Sequence, residues 1–158
     1  MLKAVLVAAW MAVLLPNAAL AQNHPTPTTP GSPGPLWQRM VQLDDGRTFV
    51  TDGGMAIDSA LAKPTLLNNA LAPASGKIIE RYLSADLPNE FSLSQLTPRD
   101  GLRTYAAPNG VMLNATYIDF VRRTLSPRQV RFRMKGELDP VIITVDGKPV
   151  GVMMPVKS

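Results

Sequence analysis

The sequence predicts an α+β domain: a small antiparallel sheet built from hairpins, with two short amphipathic helices packed on it. Three observations predict it. Apolar runs at 36–50 and 140–156 are each broken by an Asp-Gly pair, which supplies the positive φ of a tight hairpin turn. The stretch RQVRFRMK at 128–135 alternates strictly between apolar and cationic residues, the period of a strand. Segments near 76–84 and 115–125 instead repeat apolar residues at helical spacing.

Not all of the 158 residues are expected to join that domain. Residues 1–21 read as a signal peptide: Lys3, an apolar run from Ala4 to Leu15, and Ala19-Leu20-Ala21 as the small-residue cleavage pattern. The run is shorter than the ~20 apolar residues of a spanning helix, and no later stretch is long and apolar enough to span. Cleavage after Ala21 predicts a periplasmic or secreted product. Residues 22–35, QNHPTPTTPGSPGP, hold five prolines and almost no apolar side chain. Such a segment buries nothing and reads as a disordered linker. The fold is expected at 36–158. The chain has no cysteine, so in an oxidising compartment its core must hold the fold without disulfides.

The first hairpin reads LWQRMVQLDDGRTFV. In a regular strand Trp37, Val41 and Leu43 share one face, and Phe49 returns to that face. Residues 55–62 have weak helical or extended character, and 64–73 reads as irregular with a short helical turn. In SGKIIERYLS the residues Ile78, Ile79, Tyr82 and Leu83 fall on one helical face, with Ser75 as the expected N-cap. Residues 86–100 read as a loop-rich crossing that Phe91, Leu93 and Leu96 pin to the core. A Pro-Asn-Gly turn within 103–113 marks a third hairpin or a strand entry. Asn114 is a good N-cap for ATYIDFVRRTL, where Ile118, Val121 and Leu125 make a buried stripe. Asp119 and Arg123 stand at i, i+4. The last hairpin, PVIITVDGKPVGVMMPV, sets Val145 against Lys148 and Thr144 against Pro149 in a two-residue turn. Pro149 lacks an N–H, which predicts an edge or a bulge there.

PVIITVDGKPVGVMMPV resembles the strand–turn–strand of the prevent-host-death antitoxins, which likewise follows a helix. The resemblance covers about seventeen residues. It supports the local structure, and as an alternative function it implies an antitoxin-like regulator. The two Asp-Gly hairpins, LDDGRTFV and VDGKPVGV, also hint at a duplicated unit, although chance accounts for such short matches.

Catalytic groups are sparse. The one histidine, His24, lies in the linker, so the fold has no Ser-His-Asp arrangement. Without cysteine there is no thiol nucleophile and no zinc or iron site of the usual kind. The aspartates of 44–58 lack the spacing of a calcium loop, and the six methionines after residue 21 are scattered, as core filling would have them. No cofactor or metal is expected. Asp52, Asp58, Glu80 and Glu90 are the carboxylates from which a small periplasmic hydrolase, the other alternative, would draw a pair.

The sharpest constellation is cationic. Residues 22–100 carry six Lys/Arg against eight Asp/Glu, whereas 101–158 carry nine against four. Arg122, Arg123, Arg128, Arg131, Arg133 and Lys135 fall within fourteen residues that hold no acid. Guanidinium forks match carboxylates and phosphates. The leading expectation is an exported, non-catalytic binding or accessory protein. Its partner would be an anionic envelope component or an acidic protein met through this basic face, with no nucleic acid involved. The cleavage reading is checked by intact mass: protein from the exported fraction should begin at Gln22, and a full-length mass there would overturn it.

Overall fold

The computed structural model describes residues 35–64, 73–126 and 128–157. The expected signal peptide, nearly all of the linker, and most of the irregular segment at 64–73 lie outside them. Among the described residues ten strands form two antiparallel sheets, and three helices pack on them. The strands are β1 (Arg39–Gln42), β2 (Thr48–Thr51), β3 (Met55–Asp58), β4 (Asn89–Ser92), β5 (Thr97–Arg99), β6 (Thr104–Ala106), β7 (Met112–Asn114), β8 (Val130–Met134), β9 (Val141–Val145) and β10 (Lys148–Met153). The helices are α1 (Ser59–Ala62), α2 (Pro73–Leu83) and α3 (Ala115–Leu125). The large sheet runs β1-β2-β3-β10-β9-β8-β4, and the small one β5-β6-β7. The α+β class read from the sequence is the class observed. No helix among the described residues is long and apolar enough to cross a membrane.

The large sheet is covered on both faces. One face buries Val41, Leu43, Phe49, Ala56, Ile142 and Val152 under Ile79 and Leu83 of α2. The other buries Met55, Ile57, Phe132, Val141 and Ile143 under Ile118, Val121 and Leu125 of α3, with Leu113 of the small sheet. This explains the run VIITV in β9, which is buried along its whole length. A strand between two cores needs no polar alternation.

The hairpin turns differ in build. Asp146 (φ 52°) and Gly147 (φ 79°) both take the left-handed conformation, as a two-residue turn requires. At the first hairpin Gly46 N–H bonds the Leu43 carbonyl and Leu43 N–H bonds the Arg47 carbonyl, so three residues form the loop, with Gly46 at φ 85°. The first turn joins the edge strand to its neighbour, and the second joins two central strands. The two hairpins are therefore not equivalent halves of one unit.

Pairing around Pro149 follows expectation: Lys148 faces Val145, Pro149 faces Thr144, and the register shifts between Pro149 and Gly151. That shift is the bulge. The Arg47 guanidinium bonds the Pro149 carbonyl at 2.9 Å, so the irregular strand keeps that acceptor satisfied.

Several expectations are corrected. Trp37 does not join Val41 and Leu43; it packs edge-on to Phe120 on the opposite face, with centroids 5.3 Å apart. Gln38 N–H bonds the carbonyl of Thr51, the residue that also faces Arg39. Two residues thus oppose one, and the extra residue reverses the alternation beyond it. Ser75 is not a cap: α2 begins at Pro73, and the buried Ser75 Oγ has no hydrogen-bond partner among the described residues. The crossing at 86–100 contains β4, which completes the large sheet, and β5, where Pro98 sits on an edge. Asp119 accepts a bond from the Tyr105 hydroxyl, and no ion pair among the described residues joins it to Arg123.

Helix α2 sits close to the sheet. A Cβ added to Gly76 would lie 2.6 Å from the backbone carbonyl of Gln42. Gly76→Ala should therefore destabilise the fold by about 1–2 kcal/mol, because a forced shift of the helix outweighs the ~1 kcal/mol propensity gain of alanine over glycine. Urea unfolding checks this, with Lys77→Ala at the exposed next position as the control that should lose little.

Candidate functional site

The six cations singled out in the sequence do not lie on one surface. Strand β8 turns Val130, Phe132 and Met134 into the core beneath α3, so Arg131 and Arg133 point to the opposite face, beside α2 and the loop at 84–88. There β4 meets them. Glu90 is opposite Arg133, with Oε2 3.9 Å from its Nε, and Glu90 Oε1 lies 4.0 Å from Arg131 Nε. Arg133 also reaches Asp86 at 3.4 Å and the Leu87 carbonyl at 3.5 Å. The two pairs with Glu90 are half-exposed and contribute ~0.2–1 kcal/mol at most, and Asp86 is fully exposed, yet together they place acids against both guanidinium groups. Lys135 lies past the strand end, exposed, with its carbonyl bonded by Asn89 Nδ2.

Arg122 and Arg123 are exposed in the last turns of α3, on the other side of the sheet. The dipole favours cations at that end. Arg122 carries its guanidinium carbon 5.0 Å from the Tyr105 ring centroid, and its Nη2 bonds the Leu93 carbonyl at 3.3 Å. Tyr105 is anchored in turn, donating to Asp119 at 3.0 Å. Burial, and then that bond, push the Tyr105 hydroxyl above its ordinary pKa, so the ring stays neutral. Arg128 is exposed where the chain leaves α3.

Two neighbourhoods escaped the sequence reading because the fold makes them. The hairpin of β5 and β6 carries Arg99 and Arg103 on either side of its turn. Arg99 pairs with Thr104, Pro98 pairs with Tyr105, and the Arg103 carbonyl accepts the first N–H of α3. At the far end of β9, Asp146 N–H bonds the Gln129 carbonyl and Gln129 N–H returns a bond to Asp146 Oδ1. This exchange sets the turn bearing the exposed Lys148 beside the segment bearing Arg128. No short sequence motif links Arg99 to Arg122, or Lys148 to Arg128.

The four nominated carboxylates are engaged at separate places. Asp58 caps α1 by accepting from Ala60 N–H at 2.9 Å. Glu80 accepts the Asp44 N–H, tying α2 to the first turn. Glu90 faces the arginines of β8. Asp52, half-buried, accepts the most hydrogen bonds of the four. Its Oδ1 accepts from Gly54 N–H (3.0 Å), Met55 N–H (2.9 Å) and the Tyr117 hydroxyl (3.1 Å), so it fastens the β2–β3 turn to α3. Burial raises the Asp52 pKa against the lowering effect of those donors, and burial and the nearby carboxylate push Tyr117 well above its ordinary value. Among the described residues no group of three His, Cys, Asp or Glu is placed to hold a metal ion.

No family model, curated protein or solved structure matches this chain.

The Asp52 clasp has a pH signature. With its pKa raised on folding, the native state holds a proton that the unfolded chain has already released. Stability should therefore fall as pH rises from the ordinary carboxylate value of about 4 through the raised one. Asp52→Asn keeps a carbonyl acceptor but removes the titration. Denaturant midpoints measured across this range should fall with pH in the wild type and flatten in the variant; parallel profiles would remove Asp52 as the source.

Proposed function

We propose that this chain is an exported, non-catalytic protein that binds an anionic partner through exposed cations of its C-terminal half. The partner class is an envelope component or an acidic protein surface. Export rests on the leader pattern of residues 1–21. The observation that carries the binding reading is the posture of Arg122. Its guanidinium is held over Tyr105 and against the Leu93 carbonyl, and none of the ion pairs among the described residues includes Arg122, Arg123 or Arg128. A guanidinium positioned on a ring loses less freedom when it meets a carboxylate or phosphate.

The proposal narrows the basic face to Arg122, Arg123 and Arg128, with Arg131 and Arg133 set apart by Glu90 and Asp86. The combined Arg122→Gln, Arg123→Gln, Arg128→Gln variant should elute from immobilised heparin at clearly lower salt than the wild type. Arg131→Gln with Arg133→Gln should elute closer to the wild type. Equal losses in both would mean that net charge alone sets retention, and an unretained wild type would remove the anionic partner.

A further inference from the structure

We propose that the anionic partner is a lipid membrane surface, and that the β5–β6 hairpin is the part that enters it. This rests on the binding reading above and specifies its target.

The hairpin projects. Every residue from Thr97 to Arg103 is exposed, including all of β5. Its turn is Asp100-Gly101-Leu102-Arg103, with Gly101 at φ 73° and Leu102 N–H bonded to the Arg99 carbonyl. Leu102, in this turn, is 62 % exposed. Nothing in the turn requires an aliphatic residue there, since Gly101 supplies the left-handed conformation and the backbone supplies the hydrogen bond. Leu138 is another exposed leucine, at 51 %, but it lies between Glu137 and Asp139. Leu102 lies instead among arginines. Arg99 and Arg103 flank it in the hairpin, and Arg122 lies over Tyr105 of the same hairpin. The carboxylates that α3, β5, β6 and their turn bring to this seam are Asp100 and Asp119, and Asp119 accepts from the Tyr105 hydroxyl.

Exposure and composition point to the class of partner. An exposed hairpin turn with one aliphatic residue and flanking cations fits the bilayer interface. There the apolar group enters the headgroup boundary while the guanidinium groups meet phosphates. Arginine's long apolar stem lets its head stay at phosphate level as the leucine goes in.

The test is sedimentation of the chain at 22–158 with vesicles of phosphatidylcholine alone or mixed with phosphatidylglycerol, run beside heparin elution. The wild type should bind the anionic vesicles and release them as salt rises. Leu102→Ser should lower vesicle partition about tenfold, the effect of withdrawing ~1.4 kcal/mol of apolar insertion, and leave heparin elution unchanged. Arg99→Gln with Arg103→Gln should weaken vesicle binding. Leu102→Trp should show blue-shifted emission relative to the wild type on anionic vesicles only. Heparin retention without vesicle binding would overturn the membrane target and leave the anionic-partner reading standing. Vesicle binding unchanged in Leu102→Ser, with no emission shift in Leu102→Trp, would overturn insertion. Failure on both heparin and vesicles would remove both readings.

Discussion

The large sheet is two three-strand meanders joined at one short ladder, β3 against β10, with β4 added at the far edge. Three residue pairs make it: Gly151 with Ile57, Val152 with Ala56, and Met153 with Met55. The same three pairs feed both cores. Ala56 and Val152 face α2, while Met55, Ile57 and Met153 face α3. The ladder is close because position 151 has no side chain. A Cβ there would lie 3.0 Å from the Ala56 carbonyl and 3.3 Å from both Ile143 and Ile57. Glycine usually weakens a strand interior, but here it is what lets the segments near residues 56 and 152 pair. The bulge between Pro149 and Gly151 sets the phase in which β10 arrives.

Each outer layer is fixed to this sheet by a similar combination of a glycine and a carboxylate. On one face Gly76 lets α2 approach the Gln42 carbonyl, and Glu80, one helical turn further, accepts from Asp44 N–H in the first turn. This contact also covers part of the β1 edge, which would otherwise offer backbone groups for pairing with another chain. On the other face a Cβ on Gly54 would overlap the Tyr117 hydroxyl, and Asp52 receives that hydroxyl beside two backbone N–H groups. A half-buried carboxylate is costly without donors, and three donors converge on this one. The β2–β3 turn is thus shaped around the first turn of α3.

Local signals predicted elements where one short window held the whole cause. The period of ATYIDFVRRTL and the Asn114 cap placed α3, and Asp146-Gly147 placed its turn. Windows whose cause lies elsewhere were opaque. Strand β4 is NEFS, with one apolar residue in four; it is a strand because Phe91 stacks on Phe132 at 5.4 Å and Glu90 meets two arginines. Trp37 changed face because of a hydrogen bond to Thr51, which no count of alternation along 36–43 contains. The helices were legible as amphipathic, but nothing in either one said that they would take opposite faces of one sheet.

The charge layout follows the same logic and bears on function. Arg131 and Arg133 look like the strongest binding candidates in a linear sequence, being regularly spaced on one strand face. Regular spacing, though, is also what lets a neighbouring strand answer them, and β4 brings Glu90 against both from forty residues upstream. The strand beside Arg122, β6, offers it a tyrosine ring and no carboxylate. Arg122 and Arg123 end a helix whose only acid, Asp119, is taken by Tyr105, and Tyr105 in turn supports Arg122. The fold therefore sorts one run of cations into two kinds. Those on β8 help fasten an edge strand, whereas those on α3 stand in solvent beside a projecting hairpin with cations of its own. A contact with an anionic surface draws on the second kind, because none of the ion pairs among the described residues includes Arg122 or Arg123.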